Sequence, residues 1–189
     1  MARLVLLTAA AAMAAVAGCS RKAPVTEELI VKWEGSSLYD IEVATLEGRA
    51  VSLDDWRGQV TLVVNTASQC GLTPQYAGLQ RLHERFGDRG FAVLGFPSGD
   101  FMGQEFDSAG EIREFCTTRF GVGFPLFAKA GVKPGADQSP VFEYLGTETG
   151  QLPAWNFGKY LVGRDGRPIA FFGSRTDPED ASVIEAIEA

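Results

Sequence analysis

Two uninterrupted apolar runs, VTLVVNTAS at 60–68 and FAVLGFP at 91–97, constrain this chain more than any other feature. A strand with one solvated face alternates apolar with polar residues. A run that does not alternate and is rich in β-branched side chains is buried on both faces, so it needs other elements above and below it. Between the two runs, Tyr76, Leu79, Leu82 and Phe86 recur at helical spacing. Thr73 can cap that helix and Pro74 can take its first position. Residues 60–97 therefore read as strand, loop, helix, strand.

The alternation continues downstream. Ser108 followed by Glu111 predicts a capping box, Ile112, Phe115, Cys116 and Phe120 share one helical face, and Gly121 stops the helix. A strand is expected around 126–128, a short helix after Pro140, two strands flanking the Arg164-Asp165-Gly166 turn, and a C-terminal helix from Asp177-Pro178. Upstream, YDIEVATLEGRAVSLDDWRG at 39–58 predicts a hairpin of strands near 41–45 and 50–53 around Glu47-Gly48. Strands interleaved with helices, closed by a hairpin and a helix, indicate an α/β three-layer sandwich: a mixed central β-sheet flanked by helices. A thioredoxin-like fold is the natural candidate. With 189 residues and 46% hydrophobic content, the chain has the material for one core-bearing domain and hardly for two.

Lys plus Arg number 17 against 24 Asp plus Glu, a formal net charge of −7 with no offsetting basic cluster. That balance argues against nucleic acid as a partner and against electrostatic docking on anionic lipid. The N-terminus offers another route to a membrane. Arg3 precedes an apolar run over 4–17, shorter than the roughly 20 residues of a spanning helix and ending in small residues, as in a secretory signal. Val16-Ala17-Gly18-Cys19 resembles the lipobox of bacterial lipoproteins, in which cleavage precedes the cysteine and acyl chains are added to it. The resemblance implies a signal peptide at 1–18, lipidation of Cys19 and membrane anchoring through it. Segment 19–37 lacks sustained periodicity and reads as a lipid-anchored tether, leaving the folded domain at 38–189. Such a protein resides in the bacterial cell envelope, and Ser20 rather than Asp after the cysteine points to the periplasmic face of the outer membrane. An ordinary signal peptide is the alternative.

Of the three cysteines, Cys70 and Cys116 then remain as thiols. Outside the cytoplasm they could form a structural disulfide. Cys70 has a more specific setting, because at a strand-to-helix junction the helix amides favour thiolate over thiol. Cys70-Gly71-Leu72-Thr73 has the spacing of a Cys-x-x-Cys redox motif but puts Thr in the second place, so dithiol exchange within it is unavailable. The single histidine, His83, lies about nine residues into the helix, well over ~10 Å from its start, too far to serve Cys70 as a base. One His and two Cys offer no metal-ligand cluster, and no metal is expected.

Five stretches resemble the glutathione peroxidase family in order and content: NTASQCGLTPQYAGLQRLHERFGDRGFAVLGFP from 65, GQE at 103–105, EIREFC at 111–116, FGVGFPLF at 120–127 and WNFGKYLV at 155–162. The resemblance implies that Cys70 is the peroxidatic cysteine, standing where some members carry selenocysteine, and that Gln104, Trp155 and Asn156 complete a catalytic tetrad. Neutral amide and indole donors can hydrogen-bond a thiolate without a cation. It also implies that Cys116 matches the resolving cysteine of the thioredoxin-dependent branch, while a small core residue is the plainer reading of a cysteine on an apolar helical face. The implied function is reduction of hydrogen peroxide and organic or lipid hydroperoxides, with no bound cofactor and a thiol reductant, a thioredoxin-like protein or glutathione, as co-substrate. The short stretch from Gly146 to Trp155 implies the monomeric type with an open site. The sequence departs from the family at FPSGDF, 96–101, where Asp100 is expected to face solvent. A thiol-disulfide oxidoreductase and a non-enzymatic redox-sensing envelope lipoprotein are the competing readings.

Overall fold

The computed structural model describes residues 20–189; the signal peptide expected at 1–18 and the lipidation expected at Cys19 lie outside the described residues. The described chain opens with a short strand, β1 (Ser20–Lys22), and a helix, α1 (Glu27–Trp33), followed by a hairpin of β2 (Glu42–Ala44) and β3 (Ala50–Ser52). The first apolar run forms β4 (Val60–Thr66), the amphipathic stretch α2 (Gln75–Phe86), and the second run β5 (Phe91–Pro97). Then come α3 (Ala109–Phe120), α4 (Pro140–Thr149), β6 (Gln151–Pro153), β7 (Lys159–Val162), β8 (Pro168–Phe172) and α5 (Ala181–Glu188).

The central sheet has the order β5-β4-β7-β8. β4 and β5 are parallel, from Val60 opposite Phe91 to Thr66 opposite Pro97, whereas β7 runs antiparallel to both β4 and β8. The sheet is therefore mixed, as expected. All of β5 is buried, and all of β4 after Val60, which is why neither run alternates in polarity. Their successive side chains still alternate between two cores. Leu62, Val64, Val93 and Leu161 pack with Leu79, Phe86, Ile112 and Val183 of α2, α3 and α5. Val63, Leu94 and Tyr160 pack on the other face with Phe142 and Leu145 of α4. This is the layered α/β arrangement of a thioredoxin-like fold.

Local signals hold well at α3: the Glu111 amide donates to Ser108 Oγ at 3.2 Å, and Gly121 ends the helix at φ 64°. Four expectations change. Segment 20–37, read as a tether, carries secondary structure: β1 pairs antiparallel with β6, and α1 packs on α4 through Trp33, whose ring meets Tyr144 edge-on at 5.4 Å. The Trp33 indole N–H also donates to Glu143 at 2.9 Å. A seven-residue helix is too short to persist alone, so these contacts with later residues, invisible to local periodicity, hold it. Residues 126–128 form only isolated bridges, Leu126 with Gly95 and Phe127 with Thr45. Gly95 permits that approach, since a Cβ there would lie 2.7 Å from a Leu126 methyl. α2 begins at Gln75 rather than under a Thr73 cap, and α5 begins at Ala181 under Asp180 rather than at Asp177-Pro178. In both places a non-helical turn uses the capping residue for itself, with Asp177 accepting from the Glu179 amide at 2.8 Å.

Candidate active site

β4 delivers the chain into a tight turn over 67–74, and Thr73 knots that turn. Its hydroxyl accepts from the Cys70 amide at 3.0 Å and donates to the Ala67 carbonyl at 2.8 Å. Thr73 is thus a loop clamp under Cys70. Cys70 is 8% exposed, and the Leu72 amide donates to its sulfur at 3.4 Å. A backbone donor aimed at sulfur stabilises a thiolate more than a thiol.

The Gln104 loop is sewn to the cysteine loop by its backbone. The Gln69 amide donates to the Gln104 carbonyl at 2.9 Å, and the Glu105 carboxylate accepts from Ser68 at 3.2 Å and Phe106 at 2.9 Å. Burial raises the Glu105 pKa above the usual carboxyl range. The loop reaches this position through consecutive left-handed residues, Met102 at φ 60° and Gly103 at φ 62°. Asp100 does not face solvent as expected. It is half-buried, and its carboxylate accepts from the Val132 and Lys133 amides at 2.6 and 2.8 Å, so it braces the neighbouring loop.

The third wall comes from residues 154–158. Asn156 is fully buried and its amide donates to Gln104 Oε1 at 3.0 Å, which occupies the Gln104 carbonyl and leaves the Gln104 N–H groups as donors. Asn65, at the end of β4, holds this wall on three sides: it accepts from Gly158 at 2.8 Å, donates to the Trp155 carbonyl at 3.2 Å, and its own carbonyl accepts from Phe157 at 2.6 Å. Phe157 sits at φ 65°, a strained conformation that these bonds maintain. Lys159, completely buried, donates to the carbonyls of Phe157 at 2.7 Å and Thr176 at 2.8 Å, and burial pushes its pKa down to about 7.

These walls enclose a cleft of about 520 Å³ lined by Cys70, Leu72, Gln104, Ala154, Trp155 and Arg175, among others. Its size suits a small ligand or one end of a longer one. The structure therefore brings Cys70, Gln104 and Trp155 to one cavity with Asn156 bonded to Gln104. Another concavity of about 280 Å³, between residues 42–44 and 127–140, contains none of the expected site residues. His83 accepts from the Val93 amide at 3.3 Å, a structural bond to β5.

Cys116 is elsewhere. It lies on α3 with no exposed surface, and both it and Cys70 are free thiols. Burial pushes the Cys116 pKa up to about 11. Around it the Thr66, Ser68 and Tyr76 hydroxyls and the outer oxygen of Glu105 are buried without a hydrogen bond of ordinary geometry. Sequence reasoning passed over Asn65, Glu105 and Lys159. For Asn65 and Lys159 the available signal was a polar side chain inside or at the start of an otherwise apolar strand, where only a partnered group is tolerated; Glu105 lies in a loop and carried no such signal.

Residues 38–146 match the family model described as glutathione peroxidase. Among similar proteins, the hydroperoxy fatty acid reductase gpx1 of Synechocystis sp. is 45% identical over 163 residues, covering 80% of this chain and 96% of its own. The thioredoxin/glutathione peroxidase BtuE of Escherichia coli is 38% identical over 176 residues, again covering 80% of this chain and 96% of its own. Of solved structures, Trgpx in its apo form superposes with a TM-score of 0.64 at 34% identity, covering 82% of this chain and 97% of that one.

Proposed function

The chain belongs to the glutathione peroxidase family, and from that premise we propose that Cys70 is its peroxidatic sulfur, working with Gln104, Trp155 and Asn156. The protein is a thiol peroxidase that reduces hydroperoxides. The observation that carries the site assignment is the shared cleft: among the described residues the sulfur bordering it, that of Cys70, stands with Gln104 and Trp155, and Asn156 turns the Gln104 donors free. In the first step the Cys70 thiolate attacks one peroxide oxygen and the O–O bond breaks. The other oxygen leaves with a proton as water or alcohol, and Cys70 becomes a sulfenic acid. Neutral donors suit this step, since they stabilise the thiolate and can orient the peroxide without binding it as a counter-ion. Sulfur carries the redox change, so no prosthetic group is required.

The second half-reaction is ours to propose as well. The Cys116 thiol condenses with the Cys70 sulfenic acid, forming the S–S bond and releasing water. A thioredoxin-like donor then reduces the disulfide by thiol exchange. Its complete burial means that α3 must loosen before Cys116 reacts. That same burial supports a second reading, in which Cys116 is a core residue and glutathione reduces Cys70 directly. Lipidation of Cys19, anchoring in the bacterial envelope at the periplasmic face of the outer membrane, activity as a monomer, and lipid hydroperoxides among the substrates complete the proposal.

One equivalent of hydroperoxide, followed by thiol-blocking non-reducing digestion and mass spectrometry, tests it. A Cys70–Cys116 peptide that appears only after peroxide supports resolution by Cys116. Sulfenic or sulfinic acid on Cys70 beside a free Cys116 supports the second reading, and an unmodified Cys70 removes the site assignment.

A further inference from the structure

We propose that Asp100 is a positioning residue of the peroxide step: its carboxylate holds the left-handed turn at Met102 and Gly103, and through that turn it holds the Gln104 amide at the cleft. This rests on the reading of Gln104 as a donor to the reacting sulfur and peroxide. Segment 98–103 joins the end of β5 to Gln104 and turns back on itself to do so. The Gly103 amide donates to the Gly99 carbonyl at 3.1 Å, and the Asp100 amide to Ser98 Oγ at 3.3 Å. In making that turn Met102 takes φ 60°, a region in which an L side chain is strained. Gly103 follows at φ 62° without that cost. Met102 is 80% exposed, so packing of its own side chain does not keep it there. A strained residue persists only where its surroundings impose the conformation.

Asp100 supplies that constraint. One carboxylate oxygen, Oδ2, accepts from both the Val132 and Lys133 amides, at 2.6 and 2.8 Å, and Lys133 Nζ donates to the Asp100 carbonyl at 2.5 Å. The anchor at the far end is itself fixed. Val132 has no exposed surface, the Gln138 side-chain amide donates to its carbonyl at 3.2 Å, and the Ala130 amide donates to the Pro97 carbonyl at 2.8 Å. The clamped turn also abuts the cleft wall, since Phe101 is buried and its ring lies 5.7 Å from that of Trp155. Beyond the turn, Gln69 holds the Gln104 carbonyl and Asn156 holds its side-chain oxygen. The backbone entering Gln104 is thus held from the Asp100 side. With the clamp removed, Met102 relaxes toward negative φ, the next peptide is re-aimed, and the Gln104 N–H groups swing away from the cleft.

The test compares variants of the full chain by stopped-flow oxidation with hydrogen peroxide, by reduction of the oxidised protein with dithiothreitol, and by melting temperature. Asp100→Ala removes the acceptor and should slow sulfenic acid formation about tenfold while leaving the dithiothreitol step as in the parent. Asp100→Asn keeps a carbonyl oxygen able to accept both amides and should stay within about twofold of the parent. In a Gln104→Ala background, Asp100→Ala should add nothing to the loss, because the two act through one group. A parent-like peroxide step in Asp100→Ala overturns the inference. So does an equal loss in Asp100→Asn, a further loss in the Gln104→Ala background, or a loss shared by both half-reactions together with a lowered melting temperature. Should Asp100→Ala fail to fold, Asp100→Glu, which displaces the oxygens by one methylene, takes its place with the same expected loss. Gln104→Ala alone separates the two failures: if it leaves the peroxide step unchanged, the donor reading falls and the inference with it, whereas a slow Gln104→Ala beside a normal Asp100→Ala sinks the inference only.

Discussion

The two cysteines belong to one hydrophobic cluster and differ little in exposure, 8% for Cys70 and none for Cys116, yet their surroundings dictate opposite behaviour. Cys70 receives a backbone N–H and borders a cleft whose other walls present neutral donors. Cys116 is packed on the inner face of a capped helix, where burial holds its thiol protonated up to about pH 11. Under the proposed assignment the difference lies in the donors aimed at each sulfur and in access to the cleft, rather than in a few per cent of exposed area.

The most severe way to break this comparison is to remove the sulfur proposed to react. Cys70→Ser should lower steady-state hydroperoxide consumption by roughly a thousandfold or more. Retention of even a tenth of the activity would move the chemistry to another residue. Cys116→Ser should lower turnover with a thioredoxin-like donor by about a hundredfold while the first-turnover burst survives, which stopped-flow measurement resolves. A burst lost together with turnover would show that the two sites are not separate.

Gln104→Ala and Asn156→Ala probe the donors without touching sulfur. Each should slow sulfenic acid formation by roughly ten- to a hundredfold, with the peroxide step rather than the reductant step affected. Indifference of that step would leave the cleft without its electrostatic argument.

The two sides also titrate in opposite senses. Lys159, which supports the Cys70 side, has a native pKa of about 7, far below its ordinary 10.5, so the unfolded chain binds the extra proton between those values and stability rises with pH there. Cys116 has a native pKa of about 11, above its ordinary 9.0, so its contribution is complete below pH 9 and is lost as pH rises through 11. Urea midpoints of the Lys159→Met variant at pH 7 and 9 should lack the upward drift of the parent; an identical drift would assign it elsewhere. The smallest effect is expected at the α3 cap. Ser108→Ala should cost about 1 kcal/mol and, if α3 must loosen, speed Cys70–Cys116 bond formation by roughly fivefold. An unchanged or slower rate would argue against loosening from that end.

Much of the fold was legible because burial on both faces leaves a mark in sequence: β4, β5 and α3 sit where periodicity and capping put them, and α2 follows its apolar period although Thr73 does not cap it. The Cys70 position was legible for the same reason, as the end of a strand entering a helix. Asn65 and Lys159 were passed over and Asp100 was misread, because each is explained by partners outside its own element: Asn65 by Trp155, Lys159 by Thr176 and Phe157, Asp100 by Val132 and Lys133. Similarly, α1 is held through Trp33 on Tyr144, a contact no helical period records.

The sequence alone determined that β4 and β5 are strands and α2 and α3 helices, that the sheet is enclosed on both faces, and that Cys70 falls between β4 and α2, because these follow from local hydrophobic period and end chemistry. Only the tertiary structure decided that Asn156 is bonded to Gln104, that Cys116 is sealed away from the cleft, and that the N-terminal segment is a paired strand. Those depend on which distant backbone groups satisfy one another once the core has closed, and a hydrogen bond between remote residues leaves no periodic trace in the chain.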